Sequence, residues 1–130
     1  MRTRPATEAE ADEYAREWIE AWNSHDVGRV FAHYRDDVEY ESPFVARLSP
    51  GQSRLTGGDA VRAYIVSAFE RFPDLHFTGP DLVALGAGSV TIVYGSVAGL
   101  TAAETLVMDD SGQVTRVYSH YRAGDAGAER

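Results

Sequence analysis

The chain has 130 residues, 44% of them hydrophobic and 25% charged, with a net charge of −8, the make-up of one globular domain able to bury a core without covalent staples. It contains no Cys and no Lys, all 12 cations being Arg, which excludes disulfides, thiolate nucleophiles, thiolate metal sites and lysine Schiff bases. The acidic balance argues against nucleic acid, and the lack of an apolar run near the ~20 residues of a bilayer span argues against a membrane.

A leading hexapeptide, MRTRPA, runs into an acidic helix and not into an apolar signal segment, so a cytoplasmic location is expected. Residues 1–6 are expected to be flexible. Thr7-Glu8-Ala9-Glu10 has the pattern of a capping box. The helix that follows sets Ala11, Tyr14, Ala15, Trp18, Ile19 and Trp22 on one stripe, with its charges on the opposite face. Asn23 to His25 close it, and Asp26 caps a short second helix expected to carry Val27, Val30, Phe31 and Tyr34.

Val38 to Ser42 alternates as a short strand with Val38, Tyr40 and Ser42 on one side, and Pro43 ends it or marks an edge. Phe44 to Thr56 has no period and contains Pro50-Gly51, which predicts a loop, read either as a solvated connection or as a lid bringing Arg47 or Arg54 to an anionic substrate. Gly57-Gly58-Asp59 opens a third helix with the stripe Val61, Tyr64, Ile65, Ala68, Phe69 and Phe72, stopped at Pro73. Beyond it the pattern is strand, turn, strand: Leu75 to Leu85, a Gly86-Ala87-Gly88 turn, then Ser89 to Ala98. An antiparallel meander is the simplest topology.

The last hairpin, Thr101 to Tyr121, turns at Asp109-Asp110-Ser111-Gly112. Alternation lines Ala102, Glu104, Leu106 and Met108 along one face. A carboxylate in that row is solvated, structurally paired, or held at a raised pKa for a chemical task. Residues 123–130 are small and polar and are expected to fray. Helices first and long strands afterwards predict one α+β domain over 1–130, with three N-terminal helices on one face of a sheet.

The segments WIEAWNSHDVGRVFAHYRDDVEYESPF, LTGGDAVRAYIVSAFERFPDLHF and MDDSGQVTRVYSHY, in that order, resemble the nuclear transport factor 2-like superfamily. That group includes ketosteroid isomerases, SnoaL-like polyketide cyclases, scytalone dehydratase and limonene epoxide hydrolase. The resemblance implies a cone-shaped, cystatin-like roll whose helices cover a strongly curved, mainly antiparallel sheet. It also implies correspondences. The isomerase tyrosine donor falls at Trp18, the aspartate base at Ser42 and the protonated aspartate at Glu104, in the enzyme class that serves as a worked case of a carboxylic acid kept neutral. The cyclase histidine also falls at Glu104, and the cyclase aspartate at Ser119.

With inward faces set by that resemblance, the pocket lining is expected to include Trp18, Trp22, Tyr40, Ser42, Tyr64, Glu104, Leu106, Val117, Ser119 and Tyr121, although the aromatics serve a core equally well. The expected ligand is small and hydrophobic or aromatic, flat or polycyclic. Glu104 would be the general acid or base, with Tyr40, Tyr121 and Ser42 bonding a substrate oxygen, in a cofactor-independent isomerisation, dehydration or cyclisation.

The alternative is a non-catalytic binding or dimerisation module, which the serines at 42 and 119 favour. Arg116, Tyr118 and His120 share the sheet's outer face and suit a homodimer contact. An epoxide hydrolase would need Arg116 and Asp109 beside the pocket, against their phase and turn position. His76 is placed at the pocket rim or on the surface, and no His pair has metal-site spacing, so no metal is expected.

Overall fold

Two side chains settle where the first helix starts. In a computed structural model that describes residues 3–48 and 50–123, Thr7 Oγ accepts from Glu10 N at 3.1 Å while Glu10 Oε1 accepts from Thr7 N at 3.1 Å, closing the capping box of α1, Glu8–Asn23. The whole expected stripe of α1, from Ala11 to Trp22, is buried. Of the leading residues, Met1 and Arg2 lie outside the described range; Arg4 donates its backbone N–H to Asp110 O at 3.4 Å. The tail expected to fray lies outside it from residue 124 onwards.

Asp26 caps α2, Val27–Phe31, accepting from Arg29 N. Tyr34, expected on this helix, instead opens strand β1, Tyr34–Glu41. Five residues of helix end at Ala32, and Val114 N then donates to His33 O, starting the pairing with the last strand.

The expected loop over 44–56 is corrected. It contains helix α3, Pro43–Leu48, and strand β2, Arg54–Thr56. Ser42 Oγ accepts from Phe44 N at 3.2 Å, so Ser-Pro acts as a helix start, with Pro in the first turn where no N–H is missed. Six residues are too few for periodicity to reveal. Among the described residues there are therefore four α-helices where the sequence predicted three, the last being α4, Gly58–Arg71.

Strand β3 spans Thr78–Leu85, three residues later than expected. The backbone groups ahead of it are taken by α1 and its exit: Asn23 Nδ2 donates to Phe77 O at 2.9 Å, Phe77 N donates to Asn23 Oδ1 at 2.6 Å, and His25 Nε2 lies 2.8 Å from Leu75 O. Asn23→Ala is expected to cost about 1–3 kcal/mol, because both Phe77 groups lose their partner. It would appear as a lower urea midpoint at unchanged slope; an unchanged midpoint would show that the segment is held by other contacts. β4, Ser89–Gly95, also stops short of the expected Ala98, since Ser96 N turns to Leu100 O at 2.8 Å around a 3₁₀ turn, Val97–Gly99.

β5, Leu100–Met108, and β6, Val114–Ala123, form the terminal hairpin. Gly112 in its turn has φ +85°, and a Cβ there would meet Thr3 O at 2.9 Å, so both conformation and space require Gly. The strands form one curved six-stranded sheet in the order β2-β1-β6-β5-β4-β3. β3 to β6 are an antiparallel meander, β1 runs parallel to β6, and β2 is antiparallel to β1. α1 packs on β3 and α4 on β1, giving the helix-covered cone of the cystatin-like roll. Arg116 and His120 are exposed and Tyr118 half-buried on the opposite, outer face. Among the described residues, no helix is long and apolar enough to cross a membrane.

Candidate functional site

On the inner face of β5, Ala102, Glu104, Leu106 and Met108 are all buried, and Glu104 is 1% exposed. Register explains how a carboxylate survives there. Ser119 on β6 lies directly across from Glu104 and donates its hydroxyl to Oε2 at 2.7 Å. Tyr94 on β4 sits diagonally, paired with Ala102, and donates to Oε1 at 3.1 Å. Tyr40 reaches from β1, where it pairs with Val117, and donates to Oε2 at 3.2 Å. Three strands thus converge their hydroxyls on one acid. Oε2 has two donors and Oε1 only one of the two it can take.

Burial pushes the Glu104 carboxyl above its ordinary value, and the Ser119, Tyr94 and Tyr40 hydroxyls, which favour the charged form, offset part of that rise. The surrounding phenols are held neutral. Burial, then the nearby Glu104 charge, raises Tyr40 and Tyr94 well above the usual phenol range, and burial lifts Tyr121 likewise. Tyr64 is pushed up to about 12 by burial, with the Ser42 hydroxyl opposing.

Glu104 closes the inner end of a cavity of about 50 Å³. Trp18 forms one wall, with ring centroids 5.2 Å from Tyr94 and 6.1 Å from both Phe77 and Trp22. Tyr40 and Tyr64, 5.1 Å apart, form the other. At the mouth Phe44 stands edge-on to Tyr121 at 4.7 Å and to Phe72 at 6.3 Å. This space is about a third of the ~150 Å³ that holds benzene in an engineered apolar cavity. The expected polycyclic ligand does not fit with these walls in place.

Six of the ten residues expected at the pocket, Trp18, Trp22, Tyr40, Tyr64, Glu104 and Tyr121, line this cavity. Leu106 and Val117 are a cross-strand pair in the core. Ser119 stands behind Glu104, and the Ser42 hydroxyl holds the start of α3. The Trp18 indole N–H donates to Tyr34 Oη at 3.2 Å and is not aimed at a ligand. Tyr94 was missed by sequence reasoning. It shares the buried face of β4 with Val90 and Ile92, but nothing local indicates which acid it meets.

The remaining polar candidates lie elsewhere. His120 is exposed with Nδ1 3.2 Å from Ala103 O, His76 is exposed in an outer groove, and Asp109 pairs with Arg35 at 3.3 Å, away from Arg116. Among the described residues no three His, Asp or Glu side chains come together as metal ligands.

The sequence profile of the SnoaL-like domain matches residues 15–128. A crystal structure of a SnoaL-like protein of unknown function from Burkholderia thailandensis is 35% identical, covering 92% of this chain and 100% of its own with a TM-score of 0.85. A SnoaL-like family protein from Agrobacterium tumefaciens, provisionally named an isomerase, is 14% identical over 85% of this chain and 96% of its own, TM-score 0.67. A protein of unknown function with a cystatin-like fold from Methylobium petroleophilum is 18% identical over 93% and 82%, TM-score 0.67. No curated protein matches.

Proposed function

The chain belongs to the SnoaL-like domain family, and from that premise we propose that it binds a small molecule and moves a proton on it with Glu104. One observation carries this reading: a fully buried carboxyl, raised by desolvation, at the inner end of an aromatic cavity. A raised carboxyl is poised for proton transfer because its two forms interconvert closer to working pH.

Glu104 is the one carboxyl among the described residues lining the cavity, so the group that removes a proton must also return it. Isomerisation by a 1,3-shift fits that economy. The Glu104 carboxylate takes a proton from the carbon between a carbonyl and a C=C bond, and the C–H pair forms a new C=C bond as the carbonyl π pair moves onto oxygen. The oxygen pair then returns while the far carbon of the original double bond, two carbons further on, takes the same proton back from the carboxylic acid. No oxidant, metal or cofactor enters this balance. Tyr64 or Tyr121, kept neutral by burial, can donate to the oxygen as negative charge develops. Tyr40, Tyr94 and Ser119 hold the carboxyl in place.

The test uses small β,γ-unsaturated ketones in deuterated water, with proton washout and double-bond position followed by NMR. Wild type should exchange and isomerise. Glu104→Gln should lose about 10²–10⁴-fold in rate while still binding. Equal behaviour of the two proteins would instead support the non-catalytic binding or dimerisation module. That second reading is favoured by Ser42 and Ser119, which stand where related enzymes place carboxylates and are engaged in structural hydrogen bonds here. Homodimerisation through Arg116, Tyr118 and His120 belongs with it.

A further inference from the structure

The polar groups around the cavity fall into two sets. At the inner end, Tyr40, Tyr94 and Ser119 donate to Glu104, whose Oε1 keeps one acceptor position. At the mouth, Ser67 and Arg71 on α4 and Ser96 beyond β4 line the same cavity. Among the described residues none of these three side chains has a hydrogen-bond or ion-pair partner. Arg71 also borders an outer groove of about 350 Å³ that continues from the mouth past Asp74 and His76. Of the two cations that the sequence offered to an anionic ligand, Arg54 pairs with Glu41 at 3.0 Å, and the Arg47 guanidinium lies 5.1 Å over the Phe44 ring without lining the cavity.

We propose that the mouth is a carboxylate subsite, so that the ligand is a small monocarboxylic acid whose carboxylate meets Arg71, with Ser67 and Ser96 as further donors, while its uncharged end enters the aromatic chamber. This rests on the reading of the cavity as a ligand site and names the class of molecule that site takes. Orientation follows from charge. An incoming carboxylate gains a planar, two-donor partner at Arg71 and would lose its hydration with no cationic partner deeper in the chamber, so the uncharged end leads. A single charge is favoured over a phosphate's two, because Asp74 lines the same groove, Glu70 adjoins Arg71, and the chain as a whole is at −8. Size follows from the chamber: about 50 Å³ admits roughly four water-sized groups, a chain of a few carbons.

The probes are butanoate and butanamide, equal in shape and different in charge, titrated into the ¹⁵N-labelled protein with the Trp18 and Trp22 indole N–H signals followed. Butanoate should shift the indoles and bind at least tenfold more tightly than butanamide. Arg71→Gln should abolish that preference and Arg71→Lys keep part of it, with the thermal midpoint of each variant recorded so that a loss of fold is not mistaken for a loss of affinity. Equal affinities in wild type, or a preference that survives Arg71→Gln, would overturn the carboxylate subsite while leaving the cavity a ligand site. If neither probe reaches the indoles, the subsite and the ligand-site reading fail together.

Discussion

Trp18→Ala is expected to destabilise the fold by about 3–5 kcal/mol, lowering the thermal midpoint by roughly 10–20 °C for a domain of this size. Trp18 is 1% exposed and stands among Trp22, Phe77 and Tyr94. Its indole N–H is also the donor to Tyr34, whose ring is 2% exposed. Truncation removes the largest side chain at the junction of α1 with the sheet, leaves a void that rigid neighbouring rings fill poorly, and strands a buried phenol oxygen. Trp18→Phe keeps most of the packing and loses the hydrogen bond, so its cost should fall to about 1–2 kcal/mol. Circular dichroism melts of the two variants check this. A loss below about 1.5 kcal/mol for the Ala variant would show that the aromatic cluster collapses around the gap and does not depend on this ring.

The second large effect is on pH dependence. Burial raises the folded-state pKa of Glu104 above the ordinary 4.5, so over the interval between the two values the native protein holds a proton that the unfolded chain has released. Stability from this group is therefore complete below the ordinary value and is lost as pH rises through the folded one. Each pH unit separating the two amounts to about 1.4 kcal/mol. Asp37 and Asp109 act in the opposite sense: the Arg35 hydrogen bond lowers the first and the Ser111 hydroxyl the second, and their contribution is lost as pH falls. Both lie at the surface, where solvent weakens such terms.

Urea midpoints for wild type and Glu104→Gln between about pH 4 and pH 8 separate these contributions, since only the Glu104 term is absent from the variant. Wild type should lose stability relative to Glu104→Gln as pH rises. Parallel curves would mean that the three hydroxyls fully compensate burial and that the carboxyl is an ordinary one.

Much of the frame was legible because its signals are local. The capping box at Thr7 and Glu10, the buried stripe of α1, the Asp26 cap, the turn at Gly112 and the inward face of Ala102, Glu104 and Leu106 each depend on residues a few positions apart. α3 was hidden because a six-residue helix started by Ser42-Pro43 shows no period. The late start of β3 was hidden because distant side chains, Asn23 and His25, take the backbone groups of Phe77 and Leu75, and the early end of β4 because a 3₁₀ turn returns Ser96 N to Leu100 O. The site was half legible for the same reason. Alternation gives the face of a strand but never its register, and register is what brings Tyr94, Tyr40 and Ser119 onto one carboxyl. Arg71 carries no local mark at all; only the fold sets it beside Ser96.

The parallel pairing of β1 with β6 ties an early strand to the last one, and Tyr40 reaches a partner 64 positions away along the chain. Contacts of such long range slow folding, because the intervening chain must be ordered before they form. Until that closure Glu104 is a wet, ordinary acid, so at a pH between its unfolded and folded pKa values its uptake of a proton would mark the moment at which the first and last strands meet.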